Sequence, residues 1–396
     1  MHVATVVAGF EPSSGGGHTF EQEILGALKA AAASSSHRFT VLCSSAAKPA
    51  LSDMLAESGI GVEAVPHVSG RLGKMLFREL EVVRAHWRRP SDIDRVASKL
   101  GVQFVWFLSA QPDRTDIPYM TVVWDLQHRA TPWFPEMSAQ GIWDSRDAVH
   151  RWFLQRASKV ITGTKVGADQ ISTFFQVPPE NILRLPHPTP SYALNTPATD
   201  TDTAAIARLG LTEPFVLYPA QFWPHKNHVN LLLAIAQLNR EGLAISVALP
   251  GSDKGNRSFV MDLAAREGIS ELIRPLGFVE RNELIALYRR ALALTYVSWC
   301  GPENLPPLEA FALGCPVLAS HIPGADEQLA GSVLFCEPGN PSSIADGIRK
   351  LHEDSGLRKR LVDAGRIRAK QFVPADYVSG VMAYLDEFEA VRRCWP

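Results

Sequence analysis

Short apolar runs alternate with amphipathic stretches along almost the whole chain. His2–Phe10 (HVATVVAGF) is apolar throughout; a Gly/Ser loop follows, and then His18–Ala33 carries apolar residues at helical spacing. RFTVLC, VQFVWFLS, YMTVVWD and KVITGT repeat the strand-like pattern, each separated from the next by helical composition. The alternation restarts with PFVLYPAQ, ISVALPG, IRPLGFV, LALTYVS, PVLAS and SVLFCE, interleaved with stretches such as NHVNLLLAIAQLNREG. Continuous apolar runs mark strands buried on both faces, so this βα order predicts parallel sheets covered by helices. Between the two series, Pro186–Ala204 (PHPTPSYALNTPATDTDTA) is rich in Pro and Thr and has no period, and it reads as an interdomain linker. The chain closes on Pro374–Cys394, an amphipathic helix with proline in its first turn. The predicted organisation is two doubly wound α/β units, residues 1–190 and 205–373, and a final helix over 374–396.

A length of 396 residues agrees with more than one core. With 46% apolar and 20% charged residues the chain reads as soluble and globular, not disordered. A net charge of −2 gives no global attraction to nucleic acid. The five cysteines, Cys43, Cys300, Cys315, Cys336 and Cys394, are odd in number and lack any CxxC spacing. That pattern speaks against a disulfide framework or a zinc site and suits a reducing compartment. The apolar start is too short for a signal peptide, and no window of about 18 apolar residues is present to span a bilayer. A cytoplasmic location is expected. Arg71–Arg89 (RLGKMLFRELEVVRAHWRR) is basic with apolar residues at helical spacing, and is either a core-facing helix with a solvated back or a peripheral contact to an anionic inner membrane face.

Three stretches carry candidate chemistry. Gly16 and Gly17 lie in SSGGGHTF, between a first strand and a helix, where the backbone can approach an anion. Phe20 occupies the third glycine position of the dinucleotide fingerprint and no acid ends the second strand, so a nicotinamide enzyme is disfavoured. YPAQFWPHKNH places Lys226 past the first strand of the second unit, as a point charge suited to phosphate. In CGPENLPPLEAFALGCPVLAS, Pro306 and Pro307 fit the first turn of a helix, leaving the N–H groups of Asn304 and Leu305 to face an anion. Glu309 follows, as an acceptor for vicinal hydroxyls or as a complement to the helix dipole.

The glycine loop, PHKN, PLGFV and LPPLEAFALGCPVLAS, in this order, resemble the retaining glycosyltransferases of family 4. The resemblance covers nearly the whole chain and is most specific in the C-terminal cluster. It implies a GT-B fold, with two Rossmann-like domains facing a cleft and the last helix packing back toward the N-terminal domain. It also implies a nucleoside diphosphate sugar held by the second domain: ribose by Glu309, diphosphate by the loop at Asn304 and Leu305 and by Lys226, base by the backbone of Gly277, Phe278 and Val279. Three positions depart from the family pattern. Gly301 stands where a first glutamate is usual, Gln221 where an arginine is, and Trp124, before Asp125, where a histidine is. Glu303 and His128 are then the expected substitutes, gripping the transferred sugar or the acceptor hydroxyl, with Trp124 and Asp125 on the acceptor side.

The implied activity is transfer of a hexose, mannose-like, to a glycan or lipid-linked saccharide acceptor with retention of configuration, as in polysaccharide or O-antigen synthesis. No metal or other cofactor is expected, and the pairs Asp92/Asp94 and Asp200/Asp202 read as solvated charge. The alternatives are a non-catalytic nucleotide-sugar-binding partner of another transferase, and a sugar-nucleotide epimerase on the same two-domain plan.

Overall fold

The computed structural model describes residues 1–7, 10, 15–66, 91–109, 115–197 and 202–395. The basic segment Arg71–Arg89 and the Asp200 part of the linker lie outside the described residues. The N-terminal unit is built on seven parallel strands, β1 (His2–Val6), β2 (Arg38–Cys43), β3 (Gly61–Ala64), β4 (Phe104–Phe107), β5 (Tyr119–Val122), β6 (Lys159–Thr162) and β7 (Ile182–Arg184), in the order β3-β2-β1-β4-β5-β6-β7. β1, β4 and β5 are buried along their whole length, which is why they read as unbroken apolar runs. The second unit has six parallel strands, β8 (Phe215–Leu217), β9 (Ser246–Pro250), β10 (Ile273–Gly277), β11 (Ala293–Tyr296), β12 (Val317–Ser320) and β13 (Leu334–Cys336), in the order β10-β9-β8-β11-β12-β13.

Both orders reverse direction beside the first strand of the unit, between β1 and β4 and between β8 and β11. At such a switch point the connections leave on opposite faces and open a crevice past the carboxyl ends of the strands. In the second unit that crevice is framed by the segment after β8, which carries Lys226, and by the segment after β11, which carries Asn304. The N-terminal helix Gly16–Ala32 follows β1 and opens toward the same side, since a Cβ on Gly16 would meet Leu305 Cδ1 at 3.8 Å.

The final helix, Pro374–Arg392, belongs to the core of the N-terminal unit. Tyr377, Val378, Val381 and Leu385 are buried against Phe20, Ile24 and Phe104. The chain crosses between the units near Thr189, whose N–H donates to Phe372 O (2.7 Å) and whose hydroxyl donates to Ala369 O (2.8 Å). The Pro/Thr-rich stretch, expected to be irregular, contains a helix over Ser191–Asn195 directly after Pro190. Tyr192 and Ala193 pack this helix onto the second core, a tertiary pull that the stretch's own composition does not display. Asp92 and Asp94 open the helix Asp92–Leu100, where Asp94 closes a capping box with Ser91 and accepts the Thr115 hydroxyl (2.6 Å). All five cysteines are free thiols, four of them buried. Among the described residues, no helix is long and apolar enough to cross a membrane.

Candidate active site

Lys226 ends a 3₁₀ turn, Pro224–Lys226, directly past β8. Its Nζ donates to Tyr296 Oη (3.0 Å), and the Tyr296 hydroxyl donates in turn to Asn304 Oδ1 (2.6 Å). Asn304 Nδ2 donates to Gly301 O (2.6 Å), so one hydrogen-bonded line joins the two loops of the switch point. Burial works to lower the Lys226 pKa, but the Tyr296 oxygen, with smaller help from Cys300 and Asp125, more than offsets it. The net shift is upward and the ammonium is kept. Asn227, in the left-handed region at φ 61°, anchors the turn from below through Nδ2 to Val297 O (2.9 Å) and Pro338 O (2.7 Å).

The helix Leu305–Leu313 begins as its prolines require, with Asn304 at the N-cap. The Asn304 N–H, expected to face an anion, donates instead to Gln328 Oε1 (3.0 Å). Pro306 and Pro307 have no N–H, so Leu305 carries the remaining first-turn donor. Glu309 sits deeper than its place in the motif suggests. It is buried, and its carboxylate accepts the hydroxyls of Tyr288 (2.6 Å) and Tyr192. Burial raises its pKa, and the two phenolic hydrogen bonds oppose that rise. Glu309 lies beyond the first turn of the helix, where the dipole effect has fallen off, so complementing the dipole does not account for it. An ionised carboxylate has about four lone-pair sites, so two phenols leave others open.

Around this centre, Gln221 Oε1 accepts Trp223 Nε1–H (3.0 Å), and its Nε2 lies 3.7 Å from where a Gly15 Cβ would stand. Gly277 has φ +65° and its carbonyl accepts Gly251 N–H (2.7 Å), tying the ends of β9 and β10 together. Past it, Phe278 is 71% exposed while Val279 packs on the core. Gly17 abuts Trp124, where a Cβ would come within 3.0 Å of the indole Cη2.

Several expected acceptor-side roles do not survive the geometry. His128 does not lie in a loop that swings toward the cleft. Asp125 Oδ1 accepts the Gln127 N–H (2.9 Å), which helps wind the chain into a short helix, Gln127–Ala130, and turns His128 inward. The ring is fully buried beside His150 and Phe175, at centroid distances of 5.2 and 6.2 Å, and neither nitrogen has a hydrogen-bond partner. Burial, then Arg146 and His150, lower its pKa to about 4. His128 is a core residue, not a catalytic one. Trp124 packs edge-to-face on Phe20 (5.8 Å) with its indole N–H buried, so it offers the cleft no donor. Glu303 points across to the chain crossing, where Oε1 accepts the His187 N–H (2.8 Å). Its carboxylate fills the space a side chain on Gly163 would need and lines a cavity of about 240 Å³ with Arg184, Thr164 and Gln328. In this arrangement it braces the domain crossing. Asp125 remains charged: burial opposes the carboxylate, but Arg146 (2.9 Å) and the Gln127 N–H overcome this and lower its pKa.

Gly301, the position of the usual glutamate, has φ +103°, and a Cβ there would come within 3.0 Å of Asn304 Oδ1. Asn304 thus occupies the space in front of it. Sequence reasoning missed Tyr296, which reads as core in its apolar run, Tyr288, on an amphipathic helix, and Tyr192, in the stretch read as a linker. It also missed Glu136, whose carboxylate binds His225 next to Lys226; the residue stands within WFPE without any spacing to Lys226 that would single it out.

The comparisons bear on the family and the fold. Residues 201–368 match the family described as Glycosyl transferases group 1, and residues 21–188 match the Glycosyl transferase 4-like domain. A D-inositol 3-phosphate glycosyltransferase from Streptomyces bingchenggensis is 31% identical over 54% of this chain and 50% of its own. The O-antigen chain mannosyltransferase B of Escherichia coli is 29% identical over 40% of this chain and 42% of its own. The chain thus spans about half the length of these curated relatives, or less. Among solved structures, Anabaena HepE in complex with UDP and glucose superposes with a TM-score of 0.71 at 17% identity, covering 98% of this chain and 100% of that one. WaaG, a glycosyltransferase involved in lipopolysaccharide biosynthesis, gives 0.71 at 16% identity over 96% and 98%. Two family matches that together take in most of the chain, on a GT-B fold, make it a member of the group 1, family 4-type glycosyltransferases.

Proposed function

We propose that the protein is a retaining glycosyltransferase that moves a hexose, of mannose type, from a nucleoside diphosphate sugar to a hydroxyl of a glycan or lipid-linked saccharide. The observation that carries this reading is the Lys226–Tyr296–Asn304 line at the switch point of the second unit, opposite the Gly16 end of the first helix. As the bond from the anomeric carbon to the diphosphate breaks, negative charge grows on the leaving oxygens, and a fixed ammonium and the Leu305 N–H at a helix N-terminus are suited to stabilise it. The acceptor oxygen bonds to the same face of the sugar, and its proton passes to the leaving diphosphate. No protein nucleophile is required, and no metal is assigned. Glu309 would hold the ribose through its free lone pairs, and the backbone at Gly277–Val279 would meet the base. The mannose-type donor rests on the O-antigen mannosyltransferases among the relatives.

The test begins with thermal unfolding in the presence of UDP-, GDP-, ADP- and dTDP-sugars, because a ligand of the native state raises the midpoint. The donor that shifts it is then supplied in labelled form with saccharide acceptors. Lys226→Ala is expected to remove the midpoint shift and lower transfer by at least about 10²-fold, the scale for one oxyanion-stabilising group. One feature favours a second reading, a nucleotide-sugar-binding partner without turnover: Gly301 replaces the usual glutamate in a conformation that side chains rarely adopt. Binding without transfer or hydrolysis across all donors decides for that reading.

A further inference from the structure

Glu136 stands in a four-residue helix, Pro135–Ser138, on the N-terminal unit, and its side chain is 6% exposed. Its Oε1 reaches across the cleft to His225, accepting the backbone N–H (2.9 Å) and lying 2.5 Å from ring Nδ1. His225 is the residue before Lys226. Its carbonyl accepts the Trp299 N–H (2.9 Å) and the Ser298 hydroxyl (3.3 Å), both on the segment that runs on to Asn304. One carboxylate therefore touches, directly or through one residue, both loops of the proposed donor site, and it does so from the opposite domain. Phe134, on the same short segment, packs edge-on against the His225 ring at 6.2 Å.

The His225 ring is held neutral, since burial and then the neighbouring Lys226 lower its pKa to about 4. A neutral ring facing a carboxylate through Nδ1 must carry its proton there, so two N–H groups of one residue converge on one oxygen. Lys226 is then the only cation of the pair.

We propose that Glu136 is a positioning residue for transfer, setting the Lys226 turn against the acceptor-side unit when the cleft is in this arrangement. This rests on the glycosyltransferase reading above. The backbone of the turn is already anchored within its own unit by Asn227 and by the Tyr218 hydroxyl on Lys226 O (2.5 Å). What Glu136 adds is the distance between the halves, and misplacement of reacting groups by about 1 Å costs on the order of 10²-fold.

Two measurements on the full chain test this. In steady-state transfer, Glu136→Ala is expected to lower kcat by roughly 10- to 100-fold while nucleotide affinity by calorimetry changes less than about threefold, because the nucleotide's own contacts lie within the second unit. Glu136→Gln keeps an acceptor oxygen for both N–H groups, and so should recover most of the kcat lost in Glu136→Ala. If Gln is as impaired as Ala, the charge and not the position is what matters, and the proposal fails. It fails equally if Glu136→Ala turns over normally. The second measurement needs no turnover: hydrogen exchange over 224–226 should quicken in Glu136→Ala and remain slow in Glu136→Gln. Unchanged exchange in Glu136→Ala overturns the proposal. Slow exchange in the wild type, quickened in Glu136→Ala, with no transfer from any donor refutes the glycosyltransferase reading and leaves the contact established.

Discussion

Glu309 has two duties that pull on the same carboxylate. It accepts two phenols, the buried Tyr288 and the partly buried Tyr192, and in the proposed function it also takes the ribose hydroxyls. Glu309→Ala is expected to weaken nucleotide binding by about 1.5–3 kcal/mol, the range for a hydrogen bond to a charged group. The same change strands the Tyr288 hydroxyl inside the core, and a buried unsatisfied group costs about 1–3 kcal/mol of stability. Calorimetry and urea unfolding read the two effects separately; a stability loss with unchanged nucleotide affinity would remove the ribose role and leave a structural glutamate. Lys226, Asn304 and Glu309 could be singled out in the sequence as candidates because each lies within one of the motifs that carry the family resemblance. Their partners could not, since Tyr296, Tyr288 and Tyr192 reach the site through the fold. His128 misled because loops past strand ends usually face the cleft, and nothing in LQHRA reveals that Asp125 winds it inward.

At the scale of elements, the loop from Ser298 to Asn304 turns at a glycine. Gly301 combines φ +103° with a neighbour, Asn304, that occupies the space a side chain would enter. Restoring the family residue with Gly301→Glu should therefore fail as a repair. Forcing a side chain into this conformation costs on the order of 1–3 kcal/mol, and displacing Asn304 breaks the line through Tyr296 to Lys226. The expected result is a lower unfolding midpoint with weaker nucleotide binding; a rise in transfer rate would show that the loop accepts the usual glutamate after all. The strands on either side were easy to find, because parallel strands buried on both faces are unbroken apolar runs. The Ser191–Asn195 helix was hidden by its polar setting, with Tyr192 and Ala193 supplying its anchor.

For the whole molecule, the buried histidines set an acid limit. Burial is the leading cause of lowered pKa values at His2, His18, His37, His128, His150, His225 and His228, to about 4 at His128 and His225 and about 3 at His228. A histidine with a lowered folded-state pKa takes its proton first in the unfolded chain. Its contribution is intact above about pH 6.5 and is lost as pH falls from there toward 4. Glu309, raised by burial, acts with the opposite sign but is one group against several. The unfolding midpoint should therefore drop steadily between pH 7.5 and 5, and His128→Phe, which keeps an aromatic ring beside Phe175, should flatten part of that slope. A midpoint independent of pH over this range would mean that these rings are reached by water.

The returning C-terminal helix has a consequence for the order of synthesis. Phe20, Ile24 and Phe104 are made before Tyr377, Val381 and Leu385, which cover them from more than 250 residues further along the chain. Of the two units, the one translated earlier is thus completed later, and it must wait, one apolar face open, while the other assembles. A chaperone that shields nascent chains should meet this protein on residues 16–32, and should let go only after the helix Pro374–Arg392 has been made.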